Sequence, residues 1–270
     1  MKLAAVQMVS SNDIDQNLAR ATYLIEEAAK RKADIVLLPE NFLCYGNKPD
    51  IFLERQHEIK TVLSEIARNE KIWLVSGTMP WNEATDSGFK PWSSCFVFDD
   101  SGNEVCRYDK IHLFDADVND ATGAYRESDT YSHGNNPGVF DTPWGKCGIA
   151  ICYDLRFPEY FRVLTELGAK IIFVPSAFTY VTGEAHWEVL LRARAIENQV
   201  FVAAADQGGE HSPTRKTWGE SMIVSPWGKI FAKTKDGEGL VLAYIDLNEI
   251  DAIRKKMPVL HHQKFTINKK

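Results

Sequence analysis

Short apolar runs alternate with segments of helical periodicity over the first third of the chain. Residues 2–9, 33–38 and 72–77 are mostly apolar, as expected for strands covered on both faces. The segment after Asp13 and the segment 59–67 instead carry apolar residues every three or four positions, which is typical of amphipathic helices. The pattern therefore predicts the order β-α-β-α-β.

Two hairpins are indicated in the middle of the chain. Segments 94–98 and 104–108 flank a turn-forming stretch, and segments 139–142 and 146–151 form a second pair. The polar stretch 110–137 between them is too long for an ordinary connection, so we expect it to be a functional loop.

The strongest helical segment is 183–198, which is rich in Ala, Leu, Glu and Arg. It carries two apolar lines, which predicts that more than one side is covered and that a partner subunit packs on it: Val189, Ala193, Ile196 and Val200 in one line, Trp187, Leu190 and Leu191 in the other.

The last part of the chain alternates short strands with turns and ends in a helix near 246–256. Helices outside a mixed sheet system, repeated in two rough halves, predict a layered α/β sandwich. Without a linker-like segment, we expect one domain over residues 1–260 and a polar tail over 261–270.

The composition argues against several classes of function. The formal net charge of −6 argues against a nucleic-acid-binding protein, and neither a signal-peptide core nor a membrane-spanning run is found. Five cysteines without a Cys-x-x-Cys pair predict reduced thiols, and no spacing suggests a metal site. We therefore expect a cytoplasmic protein without a metal or organic cofactor.

Candidate chemistry centres on the segment 148–159. An apolar strand ends at Cys152, and Pro158 marks the start of a helix. A cysteine near a helix N-terminus has its thiolate favoured by the helix dipole and by free backbone N–H groups, so Cys152 is a candidate nucleophile. The alternative is a buried core cysteine, since cysteine is among the most buried residue types.

Two other strand ends supply the groups that a nucleophile needs. Glu40 directly follows the strand 34–38, and Lys110 follows the strand 104–108. Residues just past strand ends gather at one rim of an α/β sheet, so these side chains can meet Cys152. Taken singly, each is better explained as a solvated surface charge.

Three segments together resemble the signature segments of the carbon–nitrogen hydrolase (nitrilase-like) superfamily, in its order and approximate spacing. They are Leu37-Leu38-Pro39-Glu40, Tyr108-Asp109-Lys110-Ile111-His112-Leu113-Phe114 and Gly148-Ile149-Ala150-Ile151-Cys152-Tyr153-Asp154-Leu155-Arg156-Phe157-Pro158-Glu159.

The resemblance implies a four-layer α-β-β-α sandwich, a homodimer, and a Glu-Lys-Cys catalytic set of Glu40, Lys110 and Cys152. It also implies that Glu127 helps to arrange the lysine and the substrate. In the implied mechanism Glu40 accepts the thiol proton, and Lys110 with the backbone N–H of Tyr153 stabilises the oxyanion. An acyl thioester forms and is then hydrolysed.

A Cys-His mechanism with His112 as the base is the alternative. No side chain that would orient the ring can be identified from the sequence, so we favour a supporting hydrogen-bonding role for His112.

The segment after Cys152 differs from the Cys-Trp-Glu of true nitrilases and resembles the amidase branch that contains deaminated glutathione amidase and omega-amidase. Segments 175–179, 182–188 and 191–197 are more similar to the former, which predicts Phe178 and Thr179 as substrate-binding residues. Both amidases act on 2-oxo acids, so a cation for the substrate carboxylate is expected. Arg156 is the candidate, with a structural ion pair as the alternative.

Other functions on the same fold remain open. Another small-amide or N-carbamoyl hydrolase, an acyl-transferring enzyme and a non-catalytic interaction protein are the competing hypotheses, and the last is disfavoured by the intact Glu40, Lys110 and Cys152.

Overall fold

The computed structural model describes residues 1–45, 49–83 and 90–266. The first half contains β1 (Lys2–Gln7), α1 (Ile14–Lys30), β2 (Ile35–Leu37), α2 (Asp50–Leu53), α3 (Gln56–Glu70), β3 (Trp73–Val75), β4 (Met79–Trp81), β5 (Trp92–Phe98), β6 (Glu104–Asp109), β7 (Asp115–Asp117) and β8 (Ala124–Arg126). The second half contains β9 (Gly138–Thr142), β10 (Gly145–Ile149), α4 (Pro158–Glu166), β11 (Ile171–Ser176), α5 (Tyr180–Asn198), β12 (Phe201–Asp206), β13 (Gly208–Ser212), β14 (Arg215–Trp218), β15 (Met222–Val224), β16 (Ile230–Lys233), β17 (Gly239–Tyr244) and α6 (Asn248–Lys256). Short 3-10 helices cover Glu127–Asp129, Cys152–Arg156 and Val259–His262.

Two mixed sheets form the centre of the protein. The first has the strand order β17-β1-β2-β3-β5-β4, with β6 also paired to β5, and the second has the order β16-β15-β12-β11-β10-β9. Each contains three adjacent parallel strands, β1-β2-β3 in one and β10-β11-β12 in the other. The two rough halves expected from the sequence are these two parallel units.

The alternation of side chains along β1 shows how the layers are held together. Leu3 and Ala5 are buried with residues of the second sheet, whereas Ala4 and Val6 are buried against residues of α1 and α3. Helices α4 and α5 cover the outer face of the second sheet, where Trp187 is fully buried. The predicted four-layer α-β-β-α sandwich is confirmed.

The two apolar lines of α5 differ in their burial within the protomer. Trp187 and Leu191 are buried, but Val189 and Ile196 in the other apolar line are 67% and 46% exposed. The protomer therefore covers one side of α5 and leaves the other side open.

Other differences concern short elements. The sequence did not predict β4 or the hairpin β13–β14, and the polar stretch 110–137 contains the small hairpin β7–β8. The strands of the two hairpins carry mostly polar or small residues, and β4 has only three residues, so no apolar pattern marks them in the sequence. The predicted tail begins inside the 3-10 helix Val259–His262, and its residues 267–270 lie outside the described residues.

Candidate active site

Three strand ends meet at one cavity. Glu40 follows β2, Lys110 follows β6 and Cys152 follows β10, and all three line a cavity of about 340 Å³. Their side chains are buried at its floor, with exposed fractions of 4%, 1% and 8%. The structure thus brings together the three residues that the sequence left far apart.

Lys110 is held between two carboxylates. Its Nζ lies 2.7 Å from Glu40 Oε1 and 2.8 Å from Glu127 Oε2. Glu127 Oε2 also accepts a hydrogen bond from the Phe114 backbone N–H at 2.6 Å, which fixes the carboxylate. Burial alone would lower the pKa of Lys110, but the negative charges of Glu127 and Glu40 outweigh it and raise the pKa well above its ordinary value. The lysine therefore stays charged.

The turn that carries Glu40 depends on a close backbone contact. Gly77 has φ +70°, and a Cβ placed on it would lie 2.1 Å from the carbonyl oxygen of Pro39. The backbone N–H of Asn41 donates to Thr78 Oγ1 at 2.9 Å, and Gln207 Nε2 donates to the Glu40 carbonyl at 3.1 Å. Only glycine fits at position 77 without displacing this turn.

Cys152 occupies a strained turn rather than the start of a long helix. Its φ of +43° lies in the left-handed region, which costs a non-glycine residue about 1–2 kcal/mol. The 3-10 helix Cys152–Arg156 separates it from α4, which begins at Pro158. The predicted stabilisation of the thiolate by the α4 dipole is therefore wrong, because the dipole effect fades within the first turn.

The surroundings of the Cys152 thiol raise its pKa rather than lower it. Burial raises the pKa of Cys152 well above its ordinary value, and the charge of Glu40 raises it further, against the smaller opposing effect of Lys110. The resting cysteine is therefore a neutral thiol that needs a base. Tyr153 follows in the first turn of the 3-10 helix, where backbone N–H groups have no intrahelical acceptor.

Asp154 organises the turn, and the sequence analysis did not single it out. This fully buried carboxylate accepts hydrogen bonds from the Ile151 backbone N–H at 2.7 Å and the Tyr108 hydroxyl at 2.7 Å. It also lies 2.6 Å from His112 Nδ1. His112 thus has an orienting partner that could not be identified from the sequence, and this partner is itself part of the Cys152 segment.

Residues 2–255 match the sequence profile described as Carbon-nitrogen hydrolase. The chain is 43% identical over 267 residues to the deaminated glutathione amidase of Yersinia enterocolitica, with 97% of this chain and 93% of the relative covered. It belongs to the carbon–nitrogen hydrolase family.

Two further relatives agree with this assignment. The omega-amidase NIT2 of Mus musculus is 38% identical over 266 residues, with 97% of this chain and 95% of the relative covered. The crystal structure of the C. elegans NitFhit protein superposes with a TM-score of 0.91 at 38% identity, covering all of this chain and 67% of that chain.

The residues predicted to bind substrate lie beside Cys152 in this carbon–nitrogen hydrolase. Arg156, Phe178 and Thr179 line a recess of about 10 Å³ that shares Cys152 with the main cavity. That volume accommodates roughly one water molecule. Arg156 contacts His186 Nδ1 at 3.1 Å, and within the described residues no carboxylate forms an ion pair with it.

The main cavity has further walls that the sequence analysis missed. They come from the β7–β8 hairpin, from the segment after Glu40 and from β14, and include Tyr45, Tyr125 and Arg215. Tyr45 and Arg215 lie in segments without a motif, and Tyr125 lies two residues before Glu127, which only the family resemblance singles out.

Over the ranges 1–45, 49–83 and 90–266, no group of three or more His, Cys, Asp or Glu side chains is arranged to hold a metal ion. In the same ranges no helix is both long and apolar enough to cross a membrane.

Proposed function

We propose that this chain is an amidase that hydrolyses a side-chain-type amide of a 2-oxo acid through an acyl thioester on Cys152. The observation that carries the proposal is the placement of Lys110 between Glu40 and Glu127 at the floor of the cavity that Cys152 lines. The names of the Yersinia and mouse relatives support the amide chemistry.

The geometry favours Glu40 as the general base. The pKa of Lys110 is raised, so the lysine stays protonated and cannot accept the thiol proton. Glu127 is occupied by Lys110 and by the Phe114 N–H. Glu40 is the remaining carboxylate at the floor of the cavity, and its charge already influences the thiol.

The first half-reaction follows from this arrangement. Glu40 takes the proton from Cys152, and the sulfur attacks the amide carbonyl carbon. Negative charge moves from Glu40 through the sulfur to the carbonyl oxygen, where charged Lys110 and the Tyr153 backbone N–H stabilise it. Glu40 then returns the proton to the departing amine, and the acyl thioester remains.

The second half-reaction hydrolyses the acyl thioester. A water molecule enters after the amine leaves, and Glu40 removes its proton as the water attacks the thioester. Collapse of the tetrahedral intermediate releases the acid and restores the Cys152 thiol.

Deaminated glutathione is the first candidate substrate and 2-oxoglutaramate the second. The Yersinia relative supports the first and the mouse relative supports the second. The cavity of about 340 Å³ also favours a substrate with a bulky amine half over one that releases only ammonia.

The test is side-by-side turnover of the two compounds by the wild-type protein and by Cys152→Ala. We expect both to be hydrolysed, deaminated glutathione with the higher kcat/KM, and no turnover by Cys152→Ala. Full activity of Cys152→Ala would exclude the thioester mechanism, and a higher kcat/KM for 2-oxoglutaramate would make omega-amidase the better description.

The open side of α5 supports a homodimer. Val189 and Ile196 are exposed there, and Trp227, which is 63% exposed, precedes Gly228, whose carbonyl accepts a hydrogen bond from Arg192 of α5 at 2.9 Å. Burying these apolar side chains against a second copy would remove them from water.

A cytoplasmic location is supported by the thiols. All five cysteines are free. Free thiols are typical of proteins from reducing compartments. Cell fractionation would test this location.

A further inference from the structure

Arg215 is a cation in the main cavity whose charge is not balanced by a carboxylate. It projects from β14 and lines the same cavity as Glu40, Lys110 and Cys152. Within residues 1–45, 49–83 and 90–266, none of its ion-pair distances to a carboxylate falls within 4.0 Å, and its buried Nε has no hydrogen-bond partner. The one hydrogen bond of its side chain in those ranges is a long contact of 3.4 Å from Nη1 to Thr122 Oγ1.

The guanidinium is nevertheless held in place. Its Cζ lies 4.8 Å from the ring centre of Tyr125 and 5.4 Å from that of Tyr45, so two aromatic rings fix its position. The β14 strand is joined to the segment that lines the recess, since the Trp218 backbone N–H donates to the Phe178 carbonyl at 3.0 Å. A fixed cation with unused donors is suited to bind an anion.

Two other arginines near Cys152 are less suited to bind an anion. Arg126 also lines the main cavity, but its Nη2 lies 2.7 Å from Asp117 and its side chain is 47% exposed. Arg156 faces the recess of about 10 Å³, which is too small for a carboxylate group as it stands. Arg215 therefore combines an unbalanced charge with space for a ligand.

Lys110 at the cavity floor is already engaged. Its Nζ lies 2.7 Å from Glu40 and 2.8 Å from Glu127. A carboxylate on the substrate would therefore need another cation to offset its charge.

We propose that Arg215 binds a carboxylate on the amine half of the substrate. This proposal rests on the proposed amidase function. Glu40 must reach the departing nitrogen, so the amine half extends into the cavity that Glu40 and Arg215 share. The preferred substrates are then amides of 2-oxo acids whose amine carries a free carboxylate, as a dipeptide does.

The test compares three amides of the same 2-oxo dicarboxylic acid. The amine is ammonia in the first, a dipeptide with a free carboxylate in the second, and the same dipeptide with an amidated C-terminus in the third. We expect the wild-type protein to have a lower KM for the second than for the third. Arg215→Met should raise the KM for the second by roughly 10- to 100-fold and leave its kcat within about 3-fold, because the contact is uniform through the reaction.

The other two amides should be hydrolysed by Arg215→Met with KM values within about 2-fold of wild type, which also shows that the variant folds. Arg215→Lys should recover part of the loss, because it keeps the charge without the two-pronged geometry. Lys216→Met is the matched control. It removes a positive charge from the next residue of the hairpin, which is exposed and lies over Tyr180, and it should leave all three KM values unchanged.

Two results would overturn the proposal. If Arg215→Met raises the KM for all three amides equally, Arg215 binds the acyl half of the substrate. If Arg215→Met leaves the KM for the amide of the free dipeptide unchanged, Arg215 does not bind the substrate. If the wild-type protein hydrolyses none of the three, the amidase function itself fails. If it hydrolyses all three through Cys152 without discrimination, only the role of Arg215 fails.

Discussion

The carboxylate of Asp154 lies 2.6 Å from Nδ1 of His112, and together with the Tyr108–Asp154 hydrogen bond this contact joins the Cys152 segment to the Lys110 segment. His112 also stacks on Phe157, with ring centres 3.7 Å apart. The histidine does not line the Cys152 cavity in the described part of the chain. Its place indicates a positioning residue rather than a base.

This role predicts a mild effect of His112→Asn. Asparagine can still donate to Asp154, so we expect kcat to fall by less than about 10-fold and the pH profile of kcat to keep its shape. Loss of a general base would instead lower kcat by roughly 10²- to 10⁴-fold. A loss of that size, with a changed acidic limb of the pH profile, would support the Cys-His mechanism.

Glu40→Gln separates thiolate formation from catalysis. Burial and the negative charge of Glu40 both raise the pKa of Cys152, whereas Lys110 lowers it. Glutamine removes the charge of Glu40 while Lys110 remains. The pH midpoint of Cys152 alkylation by iodoacetamide should therefore fall, although amide hydrolysis is lost or stops at the thioester.

Peptide mass spectrometry can follow both alkylation and thioester in the same samples. Cys106 serves as the internal control, because burial and its acidic neighbours raise its pKa to about 11 without Glu40. Its alkylation midpoint should not move. Normal turnover by Glu40→Gln, or an unchanged Cys152 midpoint, would contradict the assigned role.

Gly77→Ala should lower kcat by displacing the turn that carries Glu40. The new Cβ would meet the Pro39 carbonyl oxygen at 2.1 Å and push the Glu40 turn away from Lys110. We expect kcat to fall by at least about 10-fold, since catalysis is sensitive to small displacements. The positive φ adds about 1–2 kcal/mol of destabilisation.

Gly237→Ala is the matched control for this change. Gly237 has a similar φ of +83°, but a Cβ there meets nothing within 4 Å. It should lose comparable stability from backbone strain in thermal unfolding while keeping its kcat. Equal losses of kcat in the two variants would show that the contact with Pro39 does not position Glu40.

The proposed homodimer predicts a change in molecular mass when a charge is placed on α5. Val189→Glu should convert the wild-type dimer into a monomer in light scattering coupled to size exclusion, because a buried charge opposes association. Val105→Glu on β6 is the control, since Val105 is also exposed, at 40%. A wild-type monomer, or a dimer that tolerates Val189→Glu, would exclude α5 as the interface.

Much of the fold followed from local pattern. The two rough halves were predicted because β1, β2, β11 and β12 are apolar runs long enough to be recognised, and α1 and α3 have one apolar stripe each. The hairpin β13–β14 was not predicted. Its polar residues give no alternation of apolar and polar positions, and it is fixed by contacts with distant segments.

The sequence by itself determined the order of the elements, the sandwich and the three segments that bring Glu40, Lys110 and Cys152 to strand ends, because periodicity and motif are local properties. Only the tertiary structure decided how these residues act. The raised pKa of the Cys152 thiol comes from burial and from a carboxylate more than a hundred positions away. The partnership of His112 with Asp154 and the placement of Arg215 likewise depend on which distant segments pack together, and no local pattern records that.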